Sequence, residues 1–310
     1  MTPETLQRIQ EAIRTLNYRP SSAARGLVTK RMATIGLILA EIETPLFLQA
    51  VNVIEPIARS AGYNLLLSNA RSPQDERLAL DLLLEKPIDG LIFLSTSQHS
   101  DDSHLSELQH MELPVVLVNR AQNHASFDQI NWNNAGGVAA AVKHLVRLGH
   151  RRIAHLRGPA IRRSSIERLQ GYCSAFQECG LPYCEDYVRS GDFTASPEVW
   201  RQSTLELLDL SPRPTAIIAA DDIVAATVMK TVHQAGLAVP QDIAVVGIDD
   251  QPFCSYLNPA LTTVRLPVAE AGKRAVEMLM DQIAGRRVEK EHLELPCPLI
   301  VRESCGAYLS

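Results

Sequence analysis

Short apolar runs alternate with longer amphipathic stretches from residue 33 to the end of the chain. The runs are rich in small and β-branched residues, as are strands buried on both faces of a parallel sheet. The stretches between them carry apolar residues three and four positions apart, which predicts helices. We predict strands at 34–40, 63–69, 88–94, 114–120, 128–132, 151–157, 188–192, 216–220, 243–248, 262–266 and 298–304, and helices at 46–61, 73–85, 103–111, 135–148, 165–179, 197–208, 223–235 and 268–284.

This alternation is typical of doubly wound parallel sheets, and it begins a second time at residue 151. Two tandem arrays predict an α/β fold with two Rossmann-like lobes and a ligand cleft between them. We assign 32–149 and 266–288 to the first lobe, and 150–265 and 289–310 to the second. The late segments return across the cleft, which fits a hinged clamp that closes on a ligand.

The first 31 residues do not follow this pattern. Thr2 is a predicted N-cap before a helix at residues 3–16. A second helix at 23–28 is so short, with Gly26 costing about 1 kcal/mol, that it should order only against a partner. Six Arg or Lys and two Glu give this arm a charge of +4, so the remainder of the −5 chain carries −9. A basic arm on an acidic body indicates a polyanionic partner, although a solvated surface helix would have the same composition.

Two predicted strands end in paired carboxylates. Residues 243–248 lead to Asp249 and Asp250, and residues 216–220 lead to Asp221 and Asp222. Ligands of open α/β sheets bind outside the carboxyl ends of the strands, so both pairs fall where a binding cleft is expected. The alternative for each pair is that it begins a loop or caps the next helix.

The loop at 158–168 follows the first strand of the second array. It brings several basic and hydroxyl side chains to a predicted helix N-terminus: Arg162, Arg163, Ser164, Ser165 and Arg168. Free backbone N–H groups and guanidinium forks favour an anion or a hydroxyl-rich ligand, unless one arginine simply pairs with Asp249. Phe47 and Phe193 follow strands in the two arrays and could be aromatic platforms, although core packing is the commoner role of phenylalanine.

Missing sequence motifs argue against an enzyme, and the lack of a long apolar stretch argues against a membrane protein. The motifs G-x-x-x-x-G-K-[ST], G-x-G-x-x-G, G-x-S-x-G and H-E-x-x-H are absent. The six cysteines have no C-x-x-C pair and no metal-ligand spacing with the nine histidines, so we expect reduced thiols and neither metal nor cofactor. No apolar stretch reaches the roughly 20 residues of a membrane span, and the N-terminus lacks a signal-peptide core. These features predict a cytoplasmic binding protein.

Six segments carry a more specific pattern: NYRPSSAARGLVTKRMATIGLIL, HLVRLGHRRIAHLRGP, PTAIIAADDIVA, VPQDIAVVGIDD, NPALTTVRLP and LIVRES. In this order they resemble the lactose and purine repressor family of bacterial transcription regulators, and the resemblance covers essentially the whole chain from residue 2. It implies lobes of the periplasmic-binding-protein type (type I), a homodimer, and a small-molecule effector in the cleft. It also implies a hinge helix that joins the lobes to a headpiece that binds operator DNA.

The resemblance implies roles for individual residues. Effector contacts are expected at Phe47, Arg162, Ser164, Arg168, Phe193, Asp221 and Asp249. Arg168 and Asp249 are the pair we expect to hydrogen-bond a ligand hydroxyl or ring atom. Residues 1–17 match the third helix of the headpiece and 18–31 match the hinge, where Tyr18, Arg25 and Leu27 are the expected DNA-contacting residues. Leu27 stands where such proteins wedge a leucine into the minor groove.

Three features depart from the family pattern. The first two headpiece helices have no counterpart in residues 1–310, and Gly26 stands in the hinge helix where Ser or Ala is commoner. In the third, Asp221 stands where the family usually has Asn, and Asn133, a further candidate contact, stands where it often has Asp. Because such exchanges alter donors and acceptors, ligand preference is not carried over. A hydroxyl-rich metabolite such as a sugar is the expected effector. A purine, an anionic metabolite, a stand-alone binding protein without DNA binding, and a sugar-modifying enzyme are the alternatives.

Overall fold

The structure, a computed structural model, describes residues 2–16, 31–40, 42, 45–94, 103–120, 125–160, 162–192, 196–286 and 289–308. The helices are α1 (Pro3–Thr15), α2 (Pro45–Ser60), α3 (Pro73–Leu84), α4 (Ser103–Leu108), α5 (Asn134–Arg147), α6 (Arg163–Glu178), α7 (Pro197–Leu208), α8 (Asp222–Gln234) and α9 (Val268–Ile283). The strands are β1 (Thr34–Leu39), β2 (Asn64–Asn69), β3 (Gly90–Leu94), β4 (Val115–Val118), β5 (Asp128–Trp132), β6 (Ile153–Arg157), β7 (Val188–Ser190), β8 (Ala216–Ile218), β9 (Ala244–Asp249), β10 (Thr262–Arg265), β11 (His292–Leu295) and β12 (Leu299–Ile300).

The strands form two six-stranded sheets, which confirms the predicted α/β fold with two lobes. Their orders are β11-β5-β4-β3-β1-β2 and β12-β10-β9-β8-β6-β7. All pairings are parallel except that of β10 with β12. Every residue of β3 and β4 is buried, as expected for strands covered by helices on both faces. The carboxyl ends of β4 and β5 in the first sheet, and of β8 and β9 in the second, lie at the cleft.

The lobe boundaries differ from the predicted ones at two crossovers. The predicted boundaries place helix α5 in the first lobe, but it packs on α6 of the second, so closely that a Cβ added at Gly171 would lie 2.1 Å from the carbonyl oxygen of Ala135. Gly137 of α5 also lies against Val264 of β10. The same boundaries place strand β11 in the second lobe, but it pairs with β5 of the first. Helical periodicity shows that a face is buried and does not show which sheet covers it.

The N-terminal helix begins where the sequence predicts. The amide of Thr5 donates to the side-chain oxygen of Thr2 at 3.4 Å, and Leu16, just beyond the helix, is exposed. Tyr18, Arg25 and Leu27 lie outside the described residues. Arg31, at the end of the predicted hinge, donates to the carbonyl oxygen of Ile283 at 3.0 Å, which fixes the chain to the C-terminal end of α9.

Among the described helices, none is long and apolar enough to cross a membrane. In the part of the chain that the structure describes, no three His, Cys, Asp or Glu side chains lie close enough together to hold a metal ion.

Candidate ligand-binding site between the lobes

A cavity of about 140 Å³ opens between the two lobes. The first lobe contributes the start of α2 and the ends of β4 and β5, and the second contributes the starts of α6 and α8 and the end of β9. The lining residues are Pro45, Leu46, Phe47, Asn119, Trp132, Arg162, Ser164, Arg168, Asp221, Ile223, Asp249, Gln251 and Leu266.

The structure brings six of the predicted effector contacts together around this cavity: Phe47, Arg162, Ser164, Arg168, Asp221 and Asp249. Phe193 lies outside the described residues. Asn133 is not among the residues that line the cavity. Its side chain instead caps α5, accepting from the amide of Gly136 at 2.6 Å and donating to Glu294 at 3.2 Å.

Arg168 is buried on α6 and held by two hydrogen bonds. It donates to the carbonyl oxygen of Ala220 at 2.8 Å and to the side-chain oxygen of Asn134 at 3.2 Å. No ion pair joins Arg168 to Asp249, both of which are described, so the alternative that this arginine only neutralises Asp249 is not what the geometry shows. A guanidinium oriented in this way is fixed before a ligand arrives.

The two carboxylate pairs divide into lining and supporting groups. Asp250 pairs with Arg265 and Arg302, each at 2.7 Å, and this fixes the loop after β9. Asp222 is fully buried and accepts from the hydroxyl of Thr263 at 2.6 Å and the amide of Gln251 at 2.7 Å. Both of these carboxylates therefore support the wall of the cleft from behind.

Asp221 and Asp249 are the members of each pair that line the cavity. Asp221 also caps α8 by accepting from the amide of Val224 at 2.7 Å, so the capping alternative holds for this residue alongside its place in the lining. Asp249 has a φ of 120°, which an L-residue seldom adopts. Strained backbone of this kind clusters at functional sites.

Burial and like charge perturb the carboxylates of this wall. Burial raises the pKa of Asp249 well above its usual range, and the charges of Asp222 and Asp221 raise it further, against the effects of Arg168 and Gln251. Burial likewise raises the pKa of Asp222 to about 6, against the hydrogen bonds that it accepts. Asp249 can therefore gain or lose a proton under conditions in which an exposed aspartate stays ionised.

Asn119, Trp132 and Gln251 line the cavity although sequence reasoning did not identify them. Asn119 directly follows β4, Trp132 ends β5 and Gln251 lies two residues beyond Asp249. The rule that located the carboxylates, that ligands lie beyond the carboxyl ends of parallel strands, applies equally to these three positions. The sequence predicts their strands, so this signal was available.

A chain of contacts joins the site to the first lobe. Arg163 of α6 donates to the carbonyl oxygen of Arg120, the second residue after β4. It also pairs with Glu167 at 2.5 Å, and Glu167 accepts from Asn134 at 2.9 Å. Asn134 in turn accepts from Arg168. The N-terminal part of α6 is therefore connected both to the cavity and across the lobes.

Two sheets with a polar cleft at their carboxyl ends define a ligand-binding clamp of the periplasmic-binding-protein type. Residues 142–305 match the periplasmic binding protein-like domain family. The chain is 31% identical to the HTH-type transcriptional repressor PurR of Aliivibrio salmonicida over 97% of this chain and 90% of that protein. It is 33% identical to the PurR of Klebsiella pneumoniae, with 97% and 88% covered.

Solved structures agree with these relatives. The lac repressor dimer bound to operator and the anti-inducer ONPF has a TM-score of 0.88 at 27% identity, covering 99% of this chain and 92% of that one. The CelR transcriptional regulator in complex with cellobiose has a TM-score of 0.78 at 29% identity, covering 98% and 91%. The chain belongs to the LacI family of transcription regulators, which are not enzymes.

Proposed function

We propose that the chain is the effector-binding core of a dimeric DNA-binding repressor that acts in the cytoplasm and senses a small hydroxyl-rich metabolite, a sugar or sugar derivative. The observation that carries the proposal is the composition of the cavity between the lobes. Aromatic surface from Phe47 and Trp132 lies with donors and acceptors from Asn119, Ser164 and Gln251. Binding sites for small molecules combine apolar walls with a few fixed polar groups in this way.

The volume and charge of the cavity favour a compact, neutral ligand. A cavity of about 150 Å³ accommodates benzene, so about 140 Å³ suits a ligand of one ring. Arg162 and Arg168 supply positive charge, and Asp221 and Asp249 supply acidic groups beside the buried Asp222. The acidic groups beside the guanidinium groups weaken the attraction of the site for an anion.

A purine is the second candidate effector. The similarity to proteins named PurR supports it, and Phe47 could stack on a planar base while Asp249 and Arg168 hydrogen-bond its edge. The alternative of a stand-alone binding protein without DNA binding gains no support from relatives that are named as repressors.

The proposed mechanism is a shift between two arrangements of the lobes. A ligand that contacts both walls of the cleft favours closure. Closure changes the angle between the two lobes of each subunit, and the dimer transmits this change. The change is proposed to reach operator DNA through the segment that the sequence predicts to be the hinge, 18–31. Two distinct sites are then coupled, typically by about 1–3 kcal/mol.

The second copy is proposed to pack on an exposed apolar face of the first lobe. Leu78 and Leu82 of α3 are 59% and 49% exposed, and Leu67 of the edge strand β2 is 38% exposed. Leu78 and Leu82 are one turn apart on α3 and form a continuous apolar strip, and exposed apolar surface of this kind indicates a protein interface.

A thermal-shift screen tests the effector class directly. The probes are D-glucose, D-galactose, D-ribose, hypoxanthine, guanine and glucose 6-phosphate, each at millimolar concentration. A ligand at one hundred times its Kd adds about 2.7 kcal/mol to the free energy of unfolding, so one class should raise the Tm clearly. Stabilisation by the nucleobases alone would contradict the proposal, and stabilisation by glucose 6-phosphate alone would contradict the preference for a neutral ligand.

Matched variants locate the binding. Asp249→Asn should abolish the shift produced by a stabilising sugar, whereas Asp209→Asn, at an exposed aspartate of the same lobe, should preserve it. Equal shifts in both variants would contradict the assignment of the cleft as the effector site.

A further inference from the structure

Two buried polar atoms of the cavity lining have no hydrogen-bond partner in the structure. One is the indole Nε1 of Trp132, a residue that is 4% exposed, and the other is the side-chain oxygen Oε1 of Gln251, which is 2% exposed. Both residues line the cavity between the lobes. An unsatisfied buried donor or acceptor is costly, and few occur in native proteins. Because neither atom finds a partner within the described part of the chain, a ligand in the cavity is the candidate partner of each.

The indole belongs to the first lobe and is rigidly held. Trp132 is the last residue of β5, between β4 and β11, and its register partner on β11 is Leu295. The following residue continues this attachment, since the amide of Asn133 donates to the carbonyl oxygen of Leu295 at 2.9 Å. The indole N–H is only a donor. Its missing partner must be an acceptor.

The carboxamide belongs to the second lobe, and its residue is held through the backbone. The backbone amide of Gln251 donates to Asp222 at 2.7 Å, and its backbone oxygen accepts from Cys254 at 3.0 Å. The side-chain oxygen Oε1 is an acceptor, so its missing partner must be a donor.

We propose that Trp132 and Gln251 are specificity-determining residues that select the effector by opposite hydrogen-bond character, one from each lobe. The effector must present an acceptor to the indole of the first lobe and a donor to the carboxamide of the second. Only a ligand with both groups satisfies both walls of the closed cleft. A ring that carries several hydroxyl groups meets this condition, because each hydroxyl both donates and accepts.

The inference rests on the proposed function, since it assumes that the cavity is the effector site. It adds a rule by which the site would distinguish the effector from analogues that lack one hydroxyl group. Sites whose buried polar groups are satisfied by substrate groups strongly reject analogues that lack those groups. Removal of a single ring hydroxyl should therefore weaken binding sharply at the position that faces Trp132 or Gln251 and little elsewhere.

The experiment uses tryptophan fluorescence together with calorimetric titration. The chain has two tryptophans, and Trp200 is buried in the second lobe, where its ring lies 2.5 Å from the position that a Cβ would take at Gly191. Trp200→Phe leaves Trp132 as the single reporter and serves as the matched control. Trp132→Phe keeps an aromatic ring and removes the N–H, and Gln251→Met keeps side-chain length and removes the acceptor. The probes are D-glucose, D-galactose and D-ribose, with the monodeoxy analogues of whichever sugar binds the unmodified protein.

We expect the binding sugar to change the emission of Trp200→Phe and to bind it as it binds the unmodified protein. Trp132→Phe and Gln251→Met should each weaken binding about 10- to 100-fold. In each variant one deoxy analogue should bind as well as the parent sugar, and this analogue should differ between the two variants. General damage to the site would weaken the parent and all analogues alike, so the loss of discrimination at one position is the specific sign.

The failures can be told apart. If no sugar binds the unmodified protein, the proposed function is wrong, and this inference fails with it. If a sugar binds but both variants retain its full affinity, the proposed function stands and the role of the pair is wrong. A uniform loss against every analogue would also overturn the inference, because it would assign the two residues a purely structural role.

Discussion

Replacement of Asp222 by Asn should stabilise the protein, and the gain should increase with pH. Asp222 is fully buried behind the cavity wall, where burial raises its pKa from 3.8 to about 6. Below pH 3.8 the carboxyl is protonated in both the folded and the unfolded protein, so it costs nothing. As the pH rises from 3.8 to 6 the unfolded chain ionises first, and folding must then either take up a proton or desolvate a charge. Stability is therefore lost across this window and stays low above it.

The size of the effect follows from the pKa shift. A rise of about 2 pKa units corresponds to about 3 kcal/mol of lost stability above pH 6, of which about 1 kcal/mol develops between pH 5 and pH 7. The carboxamide of the Asp222→Asn variant would carry no charge at any of these pH values. It can accept one of the hydrogen bonds from Thr263 and Gln251, as a protonated carboxyl can, so the two side chains should be nearly equivalent at low pH.

Urea unfolding of the two proteins from pH 5.0 to 7.5 measures this difference. Subtracting the wild-type free energy from that of Asp222→Asn removes the contributions of titrating groups that do not interact with Asp222, because these are common to both proteins. The difference should increase with pH and level off above about pH 6.5. A difference that is constant with pH, or one that falls, would refute the conclusion that Asp222 is an ionised carboxylate held in a desolvated site. The same substitution should lower the pKa of Asp249, since it removes a neighbouring negative charge.

Three further predictions concern packing, the site and assembly. Gly171→Ala should lower the free energy of unfolding by about 2 kcal/mol despite the better helix propensity of Ala, because the new methyl group would lie 2.1 Å from the carbonyl oxygen of Ala135. The control Gln170→Ala, at the exposed neighbouring position, should not destabilise the protein in the same urea unfolding assay. Arg168→Ala should cost about 3 kcal/mol in the free energy of unfolding and abolish the thermal shift by an effector, because it removes a buried guanidinium group and the two hydrogen bonds that it donates. Arg201→Ala, at a surface ion pair, should change stability by less than about 1 kcal/mol. Equal effects of the two substitutions would contradict the argument from burial. Leu78→Asp should convert a dimer to a monomer in analytical ultracentrifugation, and a dimer that persists would place the interface elsewhere.

Much of the candidate site could be found from the sequence because parallel sheets collect their strand ends at one edge. The runs before Asp221 and Asp249 are apolar and short, so the strands and their ends were visible. The same rule would have identified Asn119 and Trp132. Strand ends alone do not tell which member of each carboxylate pair lines the cavity, because successive side chains at a strand end point in different directions; Asp221 and Asp249 were selected by the family resemblance. Asp222 and Asp250 support the wall, and their partners are distant in the chain.

Asn133 shows the limit of positional reasoning. Its place in the family pattern suggested an effector contact, but its side chain satisfies the amide of Gly136 at the start of α5. Local capping of a free helix N–H is available to any Asn at this position, and a sequence does not reveal which of two uses the side chain adopts.

The α/β class, the two arrays of strands and helices, and the strand ends that carry the chemistry are predictable from residue order, because they depend on local periodicity and on the general geometry of parallel sheets. The assignment of α5 to the second lobe and of β11 to the first required the folded molecule. The tertiary structure also decided that Trp132 and Gln251 present unpartnered atoms of opposite character from opposite walls. These features depend on which surfaces meet, and a polar atom is satisfied or left without a partner only by groups that the folded chain brings to it from far along the sequence.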